Sequence, residues 1–463
     1  AFKNGGAIHG EEIDLVYIKN DVFHENVIRQ MGGAVFLSKF RTVICSGGSY
    51  VRNRIKTAGA AICAIIGINF KMWNSGFYYN NARGLYIKMV KYIKNVNSSF
   101  IYNNPQGRID KNRNQYTLLS GHAIHISHYY SLYVVSCDFV KQKNSSVYAT
   151  YGKIIVNINS SFVSNNGKYG AGLYIAKCKL VKISKCIFES NYVEYRGAGC
   201  YFENITRLYV NYSQFTNSST GGSAAGIYCT SCTYTVLSKC IIYKNSVITY
   251  HEKSSYGTGM YFLNCYSILM FECKLIKNFK PYDGGGLYVK LNNILRLSNS
   301  YFHDNLANHY GAGICLYHGK KLIIHKTTFT SNQAEYGGAI YCRNVTYVKS
   351  LDSNFSKNKA NEKGPVMRLW IITFFICISS NFVKNEHEER CAALCIAKFF
   401  SVQIIHSIFH KNEMSAIDVR TGKMLITHRT FFDESHGTSG GGLYTRRCKT
   451  VQIDSCYFTD NTM

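Results

Sequence analysis

The feature that most restricts the fold of this chain is a repeat that runs along its whole length. A glycine-rich start, an alternation of apolar and polar residues, and an aromatic-x-x-Asn ending recur with drift. The clearest copy opens at Tyr336 and ends at Phe355 and Asn358. From Phe302 to Phe409 the closing aromatic residues are 27, 26, 27 and 27 positions apart. A fixed period of this size indicates a solenoid.

Inside a copy the apolar residues lie two positions apart, as at Leu173 and Ile175, which is the spacing of a β-strand. A single coil cannot bury its inner face, whereas a stack of coils can. We therefore predict an all-β parallel β-helix of about 17 coils, each of about 27 residues and three short strands. The closing residues that identify the 17 copies are Phe23, Tyr50, Tyr78, Phe100, Phe139, Phe162, Phe188, Phe215, Ile242, Leu275, Phe302, Phe329, Phe355, Phe382, Phe409, Phe432 and Phe458.

Two further columns accompany the closing residue. A small residue (Ser, Thr or Cys) stands two positions before it in most copies, and Asn stands three positions after it. Asn tolerates left-handed turn geometry, and its amide can bond to the coils above and below. We expect the aromatic column to point inward and to stack from coil to coil. The Asn column comprises Asn165, Asn191, Asn245, Asn278, Asn305, Asn332, Asn358, Asn385, Asn412 and Asn461.

We interpret residues 1–463 as one solenoid. Residues 1–161 contain irregular copies, and residues 162–463 are more regular. A polar and basic insertion near 104–120 predicts a lateral loop. Both ends fall inside a copy, so we expect either a slice of a longer chain or a protomer that stacks end to end. The apolar run from Leu369 to Ile378 is about half a membrane span and keeps the register of the repeat, so we assign it to the core.

The repeat resembles that of the chlamydial polymorphic membrane proteins and their relatives. Gly337-Gly338-Ala339-Ile340 with Phe355 and Asn358, and Gly5-Gly6-Ala7-Ile8 with Phe23 and Asn26, carry the resemblance. It covers essentially the whole chain and implies a right-handed parallel β-helix of pectin-lyase-like architecture, placed at a cell surface and often adhesive. No transporter barrel follows the repeat here, and the chain is strongly basic, which departs from that family.

Charge and cysteine content restrict the partners and the compartment. The net charge of +27 favours acidic partners such as anionic glycans or an acidic protein surface, although a merely solvated basic surface explains it equally well. No specific nucleic-acid motif is evident. The 18 cysteines lie mostly in repeat columns, so we favour reduced core thiols over disulfides between adjacent coils.

The function predicted from these observations is that of a non-enzymatic extracellular or cell-surface structural or adhesive protein, which can assemble end to end into a filament with other copies or related β-helices. One alternative is a polysaccharide-active lyase or hydrolase. A second alternative is a basic protein that coats an acidic polymer. We expect no cofactor.

Two sets of candidate binding residues follow from the repeat. One tyrosine column should face outward, because the residues before and after each tyrosine in the strand are expected to point inward. Its rings could stack on sugar rings or could only stabilise the sheet. The column comprises Tyr174, Tyr201, Tyr228, Tyr261, Tyr288, Tyr341 and Tyr444. Eight Asn-x-Ser/Thr sequons permit N-glycosylation: Asn97, Asn144, Asn159, Asn204, Asn211, Asn217, Asn344 and Asn354.

Catalytic and metal sites are not evident in the sequence. His122, His125 and His128 are three residues apart, so a strand would place neighbours on opposite faces, and we expect scattered surface histidines. Cys229 and Cys232 form a lone Cys-x-x-Cys without the second pair that a zinc site needs. Hydrolysis of a polysaccharide needs paired carboxylates, and the aspartates lie far apart in sequence, although acids from different coils could still meet.

Overall fold

The computed structural model describes residues 5–28, 31–55, 60–81, 83–103, 109–110, 115–116, 122–248, 255–387, 392–413, 415–437 and 440–462. Every regular element in these residues is a β-strand. The chain divides into two compact units, residues 1–220 with 225–227 and residues 221–224 with 228–463. Within the described part of the chain, no helix is long and apolar enough to cross a membrane.

Unit 1 repeats a long strand followed by a three-residue strand. The long strands are Ile8–Lys19, Val35–Ser46, Ala60–Trp73, Arg83–Val96, Ile124–Val135, Val147–Ile158, Leu173–Ser184 and Cys200–Asn211. The three-residue strands are Val22–His24, Ser49–Val51, Gly76–Tyr78, Ser99–Ile101, Asp138–Val140, Ser161–Val163, Ile187–Glu189 and Gln214–Thr216. A third, less regular side contains Val27–Ile28, Arg54–Ile55, Asn166–Tyr169, Tyr192–Arg196 and Ser219–Thr220.

Unit 2 follows the same plan, and the strand Ile227–Thr230 contains the boundary between the units. Its other long-side strands are Tyr234–Ser238, Met260–Leu263, Ser267–Phe271, Leu287–Ser298, Ile314–His325, Ile340–Leu351, Met367–Ile378, Leu394–Ile405, Ile417–His428 and Leu443–Asp454. The three-residue strands are Ile241–Tyr243, Lys274–Ile276, Tyr301–His303, Thr328–Thr330, Asn354–Ser356, Asn381–Val383, Ile408–His410, Phe431–Asp433 and Tyr457–Thr459. The third side contains Ser246–Val247, Gln333–Tyr336, Lys359–Lys363 and Glu386–His387.

Left-handed residues turn the chain from one side of a coil to the next. In the coil that begins at Leu173, the long strand bends at Lys177 (φ 55°), and Lys185 (φ 55°) and Ser190 (φ 53°) flank the short strand. Equivalent long strands pair in parallel one repeat apart, as Leu173 pairs with Cys200. The predicted bend at glycine is confirmed at Gly337 (φ 64°), where an added Cβ would collide with the backbone carbonyl of Ile340.

The aromatic column lies in the core, as the sequence predicts. In unit 2 the rings of Phe302 and Phe329 stack 4.7 Å apart, and Phe382 and Phe409 stack 4.4 Å apart. One assignment was wrong by one position: Phe77, not Tyr78, occupies the column and is fully buried. The Phe-x-x-Asn spacing explains the correction, because Phe77 precedes the buried Asn80 by three residues.

Sulfur and apolar residues fill the remaining core. Leu369, Phe375 and Cys377 are fully buried within the strand Met367–Ile378, which confirms that the inward residues of the apolar run belong to the core, whereas Ile371 and Phe374 of the same run are exposed. Of the described cysteines, sixteen carry no disulfide, and Cys395 is disulfide-bonded.

The insertions are only partly described. Near 104–120, Ile109–Asp110 pairs with Gln115–Tyr116 as a short antiparallel ladder, and the rest of the predicted lateral loop lies outside the described residues. The interpretation of residues 1–463 as a single solenoid stays a prediction.

Candidate functional site

The tyrosine column is mostly covered, which corrects the expectation of an exposed face. The fractional exposures are 1% for Tyr228, 4% for Tyr288, 5% for Tyr341, 8% for Tyr261 and 9% for Tyr201, and Tyr174 and Tyr444 are half-buried. A second layer of tyrosines from the glycine-rich turns covers the column. The ring of Tyr256 lies 5.0 Å from that of Tyr288, and Tyr310 stacks 4.2 Å from Tyr341. Binding of a ligand along the whole column is therefore not supported by its exposure.

The column forms aromatic ladders within each unit. In unit 1, Tyr148, Tyr174 and Tyr201 stack at 4.6 and 4.9 Å with nearly parallel rings. In unit 2, Tyr261 and Tyr288 meet edge to face at 4.8 Å. Such pairs stabilise a sheet beyond their buried area.

At Tyr341 the covering layer opens into a cleft of about 250 Å³. Its lining residues are Tyr310, Tyr336, Tyr341, Arg343, Arg368 and Trp370. We call this the aromatic–arginine cleft. Backbone register places Tyr341 beside Arg368, and Arg343 beside Trp370, on neighbouring strands. All four point away from the core, because they alternate with the inward residues Ile340, Cys342, Met367 and Leu369.

The two arginines give the cleft a positive charge, which the carboxylate of Asp418 offsets only in part and without a direct ion pair to Arg368. Among the described residues, no carboxylate oxygen lies within 4.0 Å of Arg343 or Arg368. Burial lowers the pKa of Arg368, which means that its charge is costly where it stands. Its guanidinium lies 5.0 Å from the Trp370 ring centre, and the Lys398 ammonium lies 5.4 Å from the same ring. Cation–π contact offsets part of that cost.

A group of titratable residues lies beside the cleft on successive turns. Asp283 is 3% exposed and accepts a hydrogen bond from the Tyr310 backbone N–H at 3.1 Å. His309 lies between two acids, with Nδ1 3.7 Å from Asp283 Oδ1 and Nε2 3.6 Å from Glu335 Oε2. Burial raises the pKa of Asp283. The structure thus brings together acids that are far apart in the sequence.

The histidines and possible metal ligands behave differently from the expectation. His122 and His125 are not scattered on the surface: their rings lie 5.5 Å apart and both pack against Tyr148, while His128 is exposed and stacks on Tyr151. In the described ranges, the ligand atoms of His410, Asp433 and Glu434 are close enough to hold a metal ion. His410 already bonds to Asp433 at 2.6 Å, and Glu434 pairs with Lys411, so these contacts account for the group without a metal.

The sequon asparagines are accessible in every case. Asn97, Asn159, Asn204, Asn217 and Asn354 are exposed, and Asn144, Asn211 and Asn344 are half-buried. Five of the eight stand at left-handed bends with φ between 50° and 56°: Asn97, Asn159, Asn204, Asn217 and Asn344. Attachment of a glycan stays a prediction.

Sequence reasoning missed Arg343, Arg368 and Trp370. A signal was present, because one repeat of 27 residues aligns Arg368 with Tyr341 and so places a cation in the tyrosine column. The cleft could not be recognised without knowing where the covering tyrosines lie.

Comparison with known proteins agrees with this architecture. Residues 171–360 match the family described as the right handed beta helix region. The fold is a right-handed parallel β-helix. The metabotropic glutamate receptor-like protein R of Dictyostelium discoideum is 25% identical over 209 residues, which span 43% of this chain and 12% of that protein. A solved PL6 family alginate lyase aligns with 98% of this chain and 97% of its own at 8% identity, with a TM-score of 0.18. The resemblance to polymorphic membrane proteins stays a prediction.

Proposed function

We propose that this β-helix is a non-enzymatic structural or adhesive protein of the cell surface or extracellular space, and that its aromatic–arginine cleft binds an acidic glycan. The observation that carries the proposal is the pair of arginines without carboxylate partners beside Trp370. An aromatic face packs against a sugar ring, and a guanidinium binds a carboxylate or sulfate in a bidentate manner. A uronic acid residue combines a sugar ring and a carboxylate in one unit. Assembly into filaments stays a prediction of the sequence.

The proposal is tested by calorimetric titration of the full chain with an oligouronate and with the same oligosaccharide after reduction of its carboxyl groups. We expect the acidic oligosaccharide to bind and the reduced one to bind at least about tenfold more weakly, because a lost charge-assisted hydrogen bond costs about 1.5–3 kcal/mol. Arg368→Gln and Trp370→Ala should each weaken binding by about the same factor.

The matched control is Arg296→Gln, which removes an exposed arginine of unit 2 that does not line the cleft. It should leave the affinity within about twofold of the original, as expected for an exposed charge. Equal loss in Arg296→Gln and Arg368→Gln would refute binding at the cleft.

Polysaccharide cleavage is the second candidate, and the grouping of Asp283, His309 and Glu335 favours it. A carboxylic acid with a raised pKa can act as a general acid, although the 3% exposure of Asp283 restricts direct contact with a substrate. Prolonged incubation with the same oligouronate, followed by mass analysis, distinguishes the candidates. Cleavage products that disappear in Glu335→Gln would establish the enzyme; an unchanged oligosaccharide agrees with the binding function.

A further inference from the structure

Unit 2 contains a group of three buried cysteines that the sequence pattern does not reveal. The sulfur atoms of Cys229 and Cys232 lie 3.7 Å apart. Ser231, with φ of 53°, makes the left-handed bend that returns the chain and brings the two side chains together. Cys265 belongs to the next coil, and its thiol donates to the Cys229 carbonyl at 3.8 Å. The exposures of the three cysteines are 0%, 1% and 1%.

Two of these thiols donate weak hydrogen bonds to backbone carbonyls. The Cys232 thiol donates to the Thr230 carbonyl at 3.6 Å, and the Cys265 thiol to the Leu263 carbonyl at 3.5 Å. A thiol is a weak hydrogen-bond donor, so little is lost when these bonds are replaced by a covalent one. Burial raises the pKa of Cys229, because the thiolate form is poorly solvated in this core, whereas hydrogen bonds with Cys229 and Cys232 lower the pKa of Cys265.

Metal binding by the three sulfurs fits the surroundings less well than a disulfide. A structural metal centre needs several ligand atoms that converge on one point. Within the described residues, the group whose three ligand atoms lie mutually within 4.8 Å is His410, Asp433 and Glu434, and the cysteines do not form such a group. A disulfide is neutral and needs only two of the sulfurs.

We propose that Cys229 and Cys232 are an oxidation site at which a disulfide forms across the left-handed bend. The two S–H bonds break and one S–S bond of about 2 Å forms, which requires the sulfurs to approach by rotation of both side chains. Hydrogen peroxide is the oxidant: it accepts the two electrons and the two hydrogens and leaves as two molecules of water. Cys265 remains a thiol. The site is independent of the aromatic–arginine cleft and of its proposed ligand.

The test oxidises the fully reduced full chain with graded hydrogen peroxide under native conditions. The remaining thiols are then alkylated with iodoacetamide in denaturant, and the chain is digested with trypsin. Cleavage after Arg207 and Lys239 places Cys229 and Cys232 on one peptide, residues 208–239, while Cys265 falls on residues 254–274. We expect peptide 208–239 to lose two hydrogens and both alkylation sites. This should occur about tenfold faster than the oxidation of Cys342, which is also fully buried and carries no disulfide.

Three results would overturn the proposal: both cysteines still alkylated when Cys342 is already oxidised, a covalent link between peptides 208–239 and 254–274, or loss of the Cys229 alkylation site at an unaltered rate in the Cys232→Ser variant. Cys265→Ser should leave the disulfide intact. If Cys232→Ser does not fold, the peptide masses of the unsubstituted chain still decide, because they need no variant.

Discussion

At the scale of single residues, the buried His122 and the half-buried His125 of unit 1 are expected to be sensitive to acid. His122 is 6% exposed, and its Nδ1 donates to the Ser145 carbonyl at 3.0 Å. The Nδ1 atom of His125 is buried without a hydrogen-bond partner. Burial, reinforced by the positive charge of Arg83, lowers the pKa of His122 to about 3 and that of His125 to about 2. Both are therefore neutral in the folded chain.

The expected consequence is a loss of stability in mild acid. The unfolded chain takes up protons at these histidines as the pH falls below their ordinary pKa of 6.5, whereas the folded chain does so only near pH 3 and below. The free energy of unfolding should therefore fall with decreasing pH across this window, by about 1.4 kcal/mol per histidine one pH unit below the unfolded value. Urea denaturation at pH 7.5 and 5.5 measures the change.

His122→Phe should reduce this pH dependence, and the exposed His128→Gln should retain it. A pH dependence that is identical in His122→Phe and in the unsubstituted chain would contradict the assignment, whatever the effect of the substitution on absolute stability.

At the scale of the elements, the sequence predicted which residue columns face the core, but it did not predict which outward side chains are covered by neighbouring turns. Phe302, Phe329 and Asn332 repeat at intervals that strand spacing and stacking require, so their positions follow from the sequence. The cover over Tyr341 comes from Tyr310, which lies in a turn and follows no two-residue alternation. The alternation of inward and outward residues along the strand therefore predicted correctly that Tyr341 points outward, but it could not predict that another ring would cover it.

The groups of reactive side chains in the turns between strands could not be predicted from the sequence for the same reason. Asp283, His309 and Glu335 meet because each stands at a similar place in successive coils, yet their turns have different lengths and sequences. Cys265 reaches the Cys229–Cys232 pair in the same way. A sequence period shows which coil follows which, but the side-chain direction in an irregular turn depends on packing.

The asparagine ladder is the element whose energetic role is most directly testable. Asn332 is fully buried; its Nδ2 donates to the Phe302 carbonyl and to Asn358 Oδ1, both at 3.0 Å, and its Oδ1 accepts from Asn305. Asn332→Ala leaves these buried partners unsatisfied, so we expect it to lower the free energy of unfolding by about 3 kcal/mol. Urea denaturation measures the loss. The control Asn308→Ala changes an exposed asparagine of the same unit and should cost less than about 0.5 kcal/mol.

A loss in Asn332→Ala no larger than that of the control would mean that the ladder is a consequence of stacking and contributes no stability of its own. The Asn305 backbone N–H donates to Asn332 Oδ1 at 3.2 Å. The rate of hydrogen exchange at this N–H gives a second and local measurement. It should become faster in the variant.

At the scale of the whole molecule, the excess of basic residues is the property that competes with the cleft as an explanation of binding. A net charge of +27 attracts any acidic polymer by long-range electrostatics. Such attraction is screened by salt beyond about 8 Å at physiological ionic strength. The charge of Arg368 is different, because it is held at a partly buried position against Trp370, where salt screens it less.

The two contributions should separate in a salt titration of oligouronate binding. We expect the affinity of the unsubstituted chain to fall as the salt concentration rises from 0.05 to about 0.5 M, because the diffuse attraction of the basic surface is lost. The ratio of its affinity to that of Arg368→Gln should persist across the series, since that ratio reports the contact inside the cleft. For Arg296→Gln the ratio should stay near one at all salt concentrations. If the Arg368→Gln ratio also approaches one at high salt, the binding belongs to the basic surface as a whole, and the chain acts as a coat for acidic polymers rather than through its cleft.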